Sequence, residues 1–498
     1  MQFVIGIDIG TQGVKAAVYS AEGERCAEVF EASRPYRPAA GVVEEDPEFQ
    51  LASTCRAVRE CLRLSGVEKI AAIALSGQMA GIIGIGLNGR AVTPYDSWLD
   101  TRCGGQIKRI QSLAGDEILY ATGNAPSFNH GPKILWWKSE RASEYARIVK
   151  FVQPAGYVAM RLCGLGAKAA FIDTTYLHFS GFADTRKRCW DASLCERFEI
   201  EPEKLPQIIG PDAHVGELTP EMAGACGLAI GTPVMAGCGD TAASFLSCGA
   251  TTPGICVDVA GTASVFAATT NAFTPDLHGG TLGCGHSATP GLWHPYAYIN
   301  GGGMNLEWFR RELADSSVAT FNQLDALALP VAPDATLPFF VPHLGGRVSP
   351  PQPHLRGAWA GLTWDHTRGE LYRAILESVA LEYALYQQAV RQLLPDAGFV
   401  ELRITGGGES SHVWNQLKAD VLQTPIVKIE HGGGAPMGAA MLAGMGAGLF
   451  PSLESAAAGW VKRGQRFEPD PERAHHYQLR IERYKSLLRA LNDWSAAA

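Results

Sequence analysis

Apolar residues in this chain fall largely into short runs broken by glycine-rich turns. The first run, Val4 to Ile9, is rich in β-branched residues. Gly10-Thr11-Gln12-Gly13 interrupts it, and Val14 to Tyr19 resumes it. The pattern predicts a strand, a tight turn and a second strand. One residue breaks the pattern: Asp8 puts a bare carboxylate inside a strand that otherwise reads as buried.

Further along, Ile70 to Leu87 is long and uncharged enough to suggest a membrane span. Ser76, Gly77 and Gln78 interrupt it, and Asn88-Gly89 closes it as a hairpin turn would, so two short buried strands are expected. GTPVMAGCGDTAASF (Gly231 to Phe245) reads as an apolar strand passing into a small-residue helix, with Asp240 at the junction. LRITGGGESSHVWNQLKADVLQTP (Leu402 to Pro425) predicts a strand, a glycine turn and a helix with Val413, Leu417 and Val421 on one face. In DHTRGELYRAILESV (Asp365 to Val379), Thr367 and Glu370 make a capping box. Leu371, Ile375 and Val379 supply the buried stripe of a structural helix.

The opening pattern recurs. VIGIDIGTQGVKAAVY (Val4 to Tyr19) lies over ICVDVAGTASVFAATT (Ile255 to Thr270), matching Gly10-Thr11 with Gly261-Thr262 and Val14 with Val265. The copies begin the two halves of the chain, on either side of a boundary at Ser247 to Gly254. Two α/β halves are expected, 1–248 and 249–498, with a nucleotide clamped in the cleft between them. Tight glycine turns let backbone N–H groups approach phosphate oxygens, and threonine hydroxyls add donors. Asp8 then has two readings: a carboxylate holding Mg²⁺ through water, or a strand end satisfied by turn N–H groups. Asp240 also has two: helix N-cap, or catalytic base at the cleft edge.

Composition narrows the ligand. The 498 residues carry a net charge of −8, so there is no overall basic footprint for nucleic acid or an anionic membrane, and a small molecule is expected. The twelve cysteines show no CxxC pair or zinc spacing, which reads as reduced thiols in a cytoplasm. GIGLNG (Gly84 to Gly89) matches a dinucleotide fingerprint, but Pro94 and turn residues stand where its helix should begin.

Taken in order, GIDIGTQGVKA, SGQMAG (Ser76 to Gly81), WLDTR (Trp98 to Arg102), GPKILWW, VGELTPE, AGCGDTAA, AGTAS, GAWAGLTWDHTRGELYRAILESVA and GGGESSHVWNQLKADVL resemble the FGGY carbohydrate kinases, closest to the xylulokinase-like branch. The resemblance implies two ribonuclease-H-like, actin-type ATPase domains around a catalytic cleft, and transfer of phosphate from ATP with Mg²⁺ to a pentulose or related ketose or polyol. It makes Asp240 the base and Asp8 the Mg²⁺-associated carboxylate. Thr11, Gln12 and Lys15 line the first phosphate turn, and Gly261 and Thr262 the second. Gly303, Gly407, Gly408 and Ser411 fall where the family holds ATP's sugar and base. Gln78, Met79, Trp98 and Asp100 would contact the polyol, and a homodimer is usual.

The chain departs from that pattern twice. Ala80 stands where xylulokinases usually carry histidine, which counts against D-xylulose itself. Gly345-Gly346-Arg347 stands where Gly-Glu-Arg is usual. A catalytically silent sugar sensor on the same fold is the alternative, opposed by the intact Asp8 and Asp240. An actin-type filament former would have no use for a polyol pocket.

Overall fold

The computed structural model describes residues 2–314, 320–331, 336–430 and 432–496. Two mixed sheets organise it. In the first, Phe3–Ile9 runs antiparallel to Gly13–Ser20, which runs antiparallel to Arg25–Ala32. Ile73–Gly77 joins Phe3–Ile9 on its other side and Pro233–Gly239 follows, all three parallel. In the second, Ile255–Ala260, Ser264–Ala268 and Trp293–Ile299 repeat the antiparallel meander, and Glu401–Thr405 and Ile426–Glu430 repeat the parallel pair.

Both sheets therefore have the order 3-2-1-4-5, counted along the chain within each half. This is the ribonuclease-H-like, actin-type arrangement. Each sheet also carries an antiparallel strand beside its fifth, His214–Glu217 or Lys462–Phe467. The second adds Gly283–His286 beyond its third. Central strands covered on both faces need near-continuous apolar sequence, and Val4, Ile5 and Ile7 are fully buried.

Local expectations hold where sequence-adjacent residues decide them. Ile73–Gly77 and Ile82–Ile85 are buried strands, and Ile82–Ile85 pairs with Ala91–Asp96 across the Asn88-Gly89 turn. The helix Arg368–Leu393 starts on the Thr367–Glu370 capping box, and Ile375 and Val379 lie in the second core. Among the described residues no helix is long and apolar enough to cross a membrane.

The repeat is real, but its register needs one correction. The first turn spans Gly10 to Gly13, whereas in the second Gly261 N–H donates directly to the Ala263 carbonyl. Asp8 therefore faces Lys15, and Val259 faces Val265. One extra residue in the first turn makes Lys15, not Val14, the counterpart of Val265.

The second half of the chain also completes the first core. The helix Gly434–Gly446 lies on the strand Phe3–Ile9 so closely that a Cβ at Gly6 would fall 1.8 Å from the Pro436 carbonyl oxygen. Gly438 meets the carbonyl of Ala243 in the same way, and Trp460 stacks on Tyr19 with ring centroids 5.4 Å apart. At the junction of the halves, Arg403 donates to the Cys248 and Gly249 carbonyls, both at 2.8 Å.

Candidate active site

Asp240 owes its position to an irregular strand end. Strand Pro233–Gly239 bulges between Met235 and Cys238, where Gly237 takes φ +73° and a Cβ would collide with the Leu75 carbonyl. Such bulges re-aim the residues that follow. Gly239 occupies the cap position and Asp240 is the first residue of the helix Asp240–Ser247. The Asp240 carboxylate makes no capping bond. Its Oδ1 accepts from the N–H and hydroxyl of the adjacent Thr241, at 2.6 and 3.1 Å.

Asp8 and Asp240 line one cleft of about 500 Å³. Thr11, Gln12, Lys15, Val259, Val265 and Ser244 share its walls, and so do the glycines 432 to 434. Asp8 accepts one hydrogen bond, from the Ser76 hydroxyl at 2.8 Å. Burial and the charge of Asp240 push its carboxyl well above the ordinary carboxylate range, against the pull of Ser76 and Lys15. Burial raises Asp240 as well, against the two bonds from Thr241. Two repelling carboxylates facing one cavity form a site for a cation or a shared proton.

The cleft's carboxylates are Asp8, Asp240 and Glu28, and Glu28 is paired with Arg25. Among the described residues no group of three or more His, Cys, Asp or Glu could hold a metal. This donor set fits magnesium, which keeps most of its water and takes one or two carboxylates plus substrate phosphates.

The first turn is built for close approach. Gly13 has φ +155°, and a Cβ there would meet the Glu31 carbonyl oxygen at 2.1 Å. The second turn receives a helix start: the N–H groups of Gly303 and Met304 donate to the Gly261 and Thr262 carbonyls, each at 3.1 Å. A Cβ on Gly408 would strike Ala260 and Trp414, whereas one on Gly407 would meet nothing within 4 Å. Gly261, Thr262, Gly303, Gly407 and Gly408 thus gather at the end of strand Ile255–Ala260. Ser411 is otherwise engaged, its hydroxyl capping the helix His412–Leu422 through Trp414 N–H.

Of the four residues expected at the acceptor, none lines this cleft, and two lie beside it. Met79 packs on Gly239, where a Cβ would lie 1.9 Å from its sulfur. Trp98 is 46% exposed, and its indole N–H donates to the Thr11 hydroxyl at 2.8 Å. Gln78 and Asp100 are buried and engaged within the protein. Gln78 donates to the Gly10 carbonyl and accepts from Tyr95. Asp100 accepts from Val43 N–H and from Arg102. Buried Lys133 holds the same loop through the Ser97 and Asp100 carbonyls, both at 2.9 Å. His130 Nε2–H donates to the Met79 carbonyl at 2.7 Å, so an imidazole lies beside position 80 although the side chain there is a methyl. Arg347, in the altered Gly-Gly-Arg segment, pairs with buried Glu382 from the long helix.

Sequence reasoning missed two parts of the cleft. Gly432 to Gly434 bring the N-terminus of Gly434–Gly446 to its wall, and a glycine run before an apolar helix was the available signal. Ser244 lines the cleft one turn after Asp240, and its hydroxyl has no partner among the described residues. The i to i+4 spacing within the same helix pointed to it.

The doubled sheet, the facing carboxylates and the paired glycine turns define a class, the phosphotransferases of the actin-like ATPase fold. Models of the FGGY family of carbohydrate kinases match the chain over residues 3–247 for the N-terminal domain and 256–447 for the C-terminal domain. The chain belongs to this family, whose members use ATP. It is 29% identical to the xylulose kinase of Bacillus subtilis, covering 100% of this chain and 99% of that one. It is 25% identical to the gluconokinase of the same organism, covering 99% and 96%. The crystal structure of the xylulose kinase from Rhodospirillum rubrum superposes with a TM-score of 0.92 at 26% identity, over 99% of this chain and 100% of that one.

Proposed function

We propose that this carbohydrate kinase transfers the γ-phosphate of ATP, with Mg²⁺, to a hydroxyl of a pentulose or related ketose or polyol. The observation that carries the reading is the pair Asp8 and Asp240, which share a cleft with the Gly10 to Gly13 turn of the first half and with Gly432 to Gly434 of the second. In this reading Asp240 accepts the proton of the attacking hydroxyl, and its raised carboxyl is suited to exchange a proton near neutrality. Asp8 would hold the cation through water, and a bound Mg²⁺ would neutralise charge on the phosphate oxygens. Within the two turns the N–H groups of Gly10, Gly13 and Gly261 are spent on turn carbonyls, so the N–H groups of Thr11, Gln12, Thr262 and Ala263 are those that would cradle the phosphates. Residues 1–248 would supply the acceptor site and 249–498 most of the nucleotide site, and closure of the cleft would exclude water that otherwise hydrolyses ATP.

Met79 and Trp98 form the acceptor wall, while Gln78 and Asp100 shape it from behind. With a methyl at position 80, D-xylulose is not expected to be the best acceptor. The test is an ADP-release screen over pentuloses, hexuloses, aldoses, aldonates and polyols, run on the wild type and on Asp240→Asn. Substitution should lower kcat by about 10² to 10⁴ on the best substrate while ATP binding stays near normal. Turnover by Asp240→Asn near the wild-type rate would remove Asp240 from the role of base.

A further inference from the structure

The indole of Trp98 and the hydroxyl of Thr11 join two parts of the site that are 87 residues apart in sequence. Trp98 stands on the acceptor wall and Thr11 at the tip of the first glycine turn, where it lines the cleft. An indole N–H only donates, so at 2.8 Å it occupies a lone pair of the Thr11 oxygen. The threonine proton is then left to point elsewhere. Ser33 holds the Thr11 carbonyl at 2.9 Å from the other side, so the backbone of the turn is fixed independently of the side chain.

The loop carrying Trp98 is also rigid. Lys133 grips the carbonyls on either side of it, and Arg102 binds Asp100, Asp96 and Glu44. A ring that is half-exposed yet donates from a fixed loop is placed for more than filling space.

We propose that Trp98 is a positioning residue for phosphate: its indole N–H orients the Thr11 hydroxyl as a donor toward an anionic oxygen in the cleft, coupling the acceptor wall to the phosphate turn. The assignment rests on the reading of Gly10 to Gly13 as a phosphate turn. A hydroxyl whose lone pair is already engaged is polarised as a donor, and ordering it beforehand removes an entropic cost when phosphate binds. The aromatic face of Trp98 stays free for the acceptor, so one side chain serves both substrates by different atoms.

Trp98→Phe removes the N–H and keeps the ring, and Thr11→Val removes the hydroxyl and keeps the shape. Binding of the magnesium complex of the non-hydrolysable imido analogue of ATP would be measured by calorimetry for the wild type, both single variants and the double variant, so no acceptor need be known. Thr11→Val is expected to weaken binding tenfold or more, as for hydrogen bonds to charged groups, and Trp98→Phe about three- to tenfold. The double variant should bind no more weakly than Thr11→Val alone, because the indole acts only through that hydroxyl. Thr11→Ser should keep most of the Trp98 effect. Wild-type affinity in Trp98→Phe, or losses that multiply in the double variant, would overturn the coupling and leave the phosphate turn standing. Unchanged affinity in Thr11→Val would overturn the phosphate-turn reading and the coupling with it.

Discussion

The two Gly-Thr hairpins share a backbone and each carries an aspartate near the end of its first strand, yet the two carboxylates go to opposite places. Asp8 faces the cleft, and one serine hydroxyl is its hydrogen-bond donor. In the second hairpin the cleft-facing position belongs to Val259, and the acid is one residue earlier. Asp258 points into the core, wholly buried, where Lys418 donates at 2.5 Å and Tyr383 at 2.7 Å. Side chains alternate along a strand, so a shift of one residue moves a charge from one face to the other. A carboxylate in a buried strand is thus no sign of catalysis by itself. What separates the two is whether the protein closes an ion pair on the carboxylate. Lys418 bonds Asp258 directly. Lys15 pulls on Asp8 from the neighbouring strand without an ion-pair contact among the described residues, and Asp8 is left for something that arrives.

That difference is sharpest in stability. Asp258→Ala strands the Lys418 ammonium in the core and should cost about 3–5 kcal/mol of unfolding free energy, read from chemical denaturation. Asp8→Ala should cost no stability, and should instead raise the Mg²⁺ concentration at which activity saturates. Comparable destabilisation by both would erase the distinction.

A smaller effect is expected in the pH dependence of stability. Asp8 has a higher carboxyl pKa in the folded chain than in the unfolded one. The folded state therefore holds more protons, and this contribution to stability falls as pH rises from the ordinary carboxylate range toward neutrality. Glu382 has the opposite sign. Arg347 and His343 hold it down to about 2, so its contribution is lost only as pH falls through the acid range. Without nucleotide, Asp8→Asn should gain about 1–2 kcal/mol on the wild type between pH 5 and 8. A wild type and variant that run parallel across that window would show that Asp8 meets no such penalty.

The smallest effect concerns Ser244, on the wall between the hairpins. Ser244→Ala should lower kcat/KM for ATP about five- to tenfold, the worth of roughly one hydrogen bond, with the melting temperature unchanged because the hydroxyl holds no structural partner. An unaltered kcat/KM would return Ser244 to the status of a bystander.

Local chemistry made much of this legible in the sequence. Turn glycines announced both hairpins, Thr367 and Glu370 announced a helix start, and a strand running into small residues put Asp240 at a junction. Long-range choices were not legible. Gln78 and Asp100 look free for a ligand in sequence, and it takes Tyr95, Val43 and Arg102 in space to engage them. The gapless overlay of the repeats hid the extra turn residue. Gly432 to Gly434 went unmarked because the strand beneath their helix lies more than four hundred positions earlier.

That helix has a consequence for how the polypeptide can be divided. Gly434–Gly446 and Leu453–Trp460 belong by sequence to the second half and by packing to the first sheet, where Met441, Leu442 and Trp460 share a core with Val4, Ala17 and Tyr19. A fragment ending at residue 248 would expose that face to water, and a fragment beginning at 249 would carry two apolar helices with no sheet to cover. Separately produced, each piece should aggregate or stay incompletely folded; mixed, they should reassociate through those helices. Interleaving thus makes the chain a two-part complementation system joined by its own linker, whose parts are stable only together.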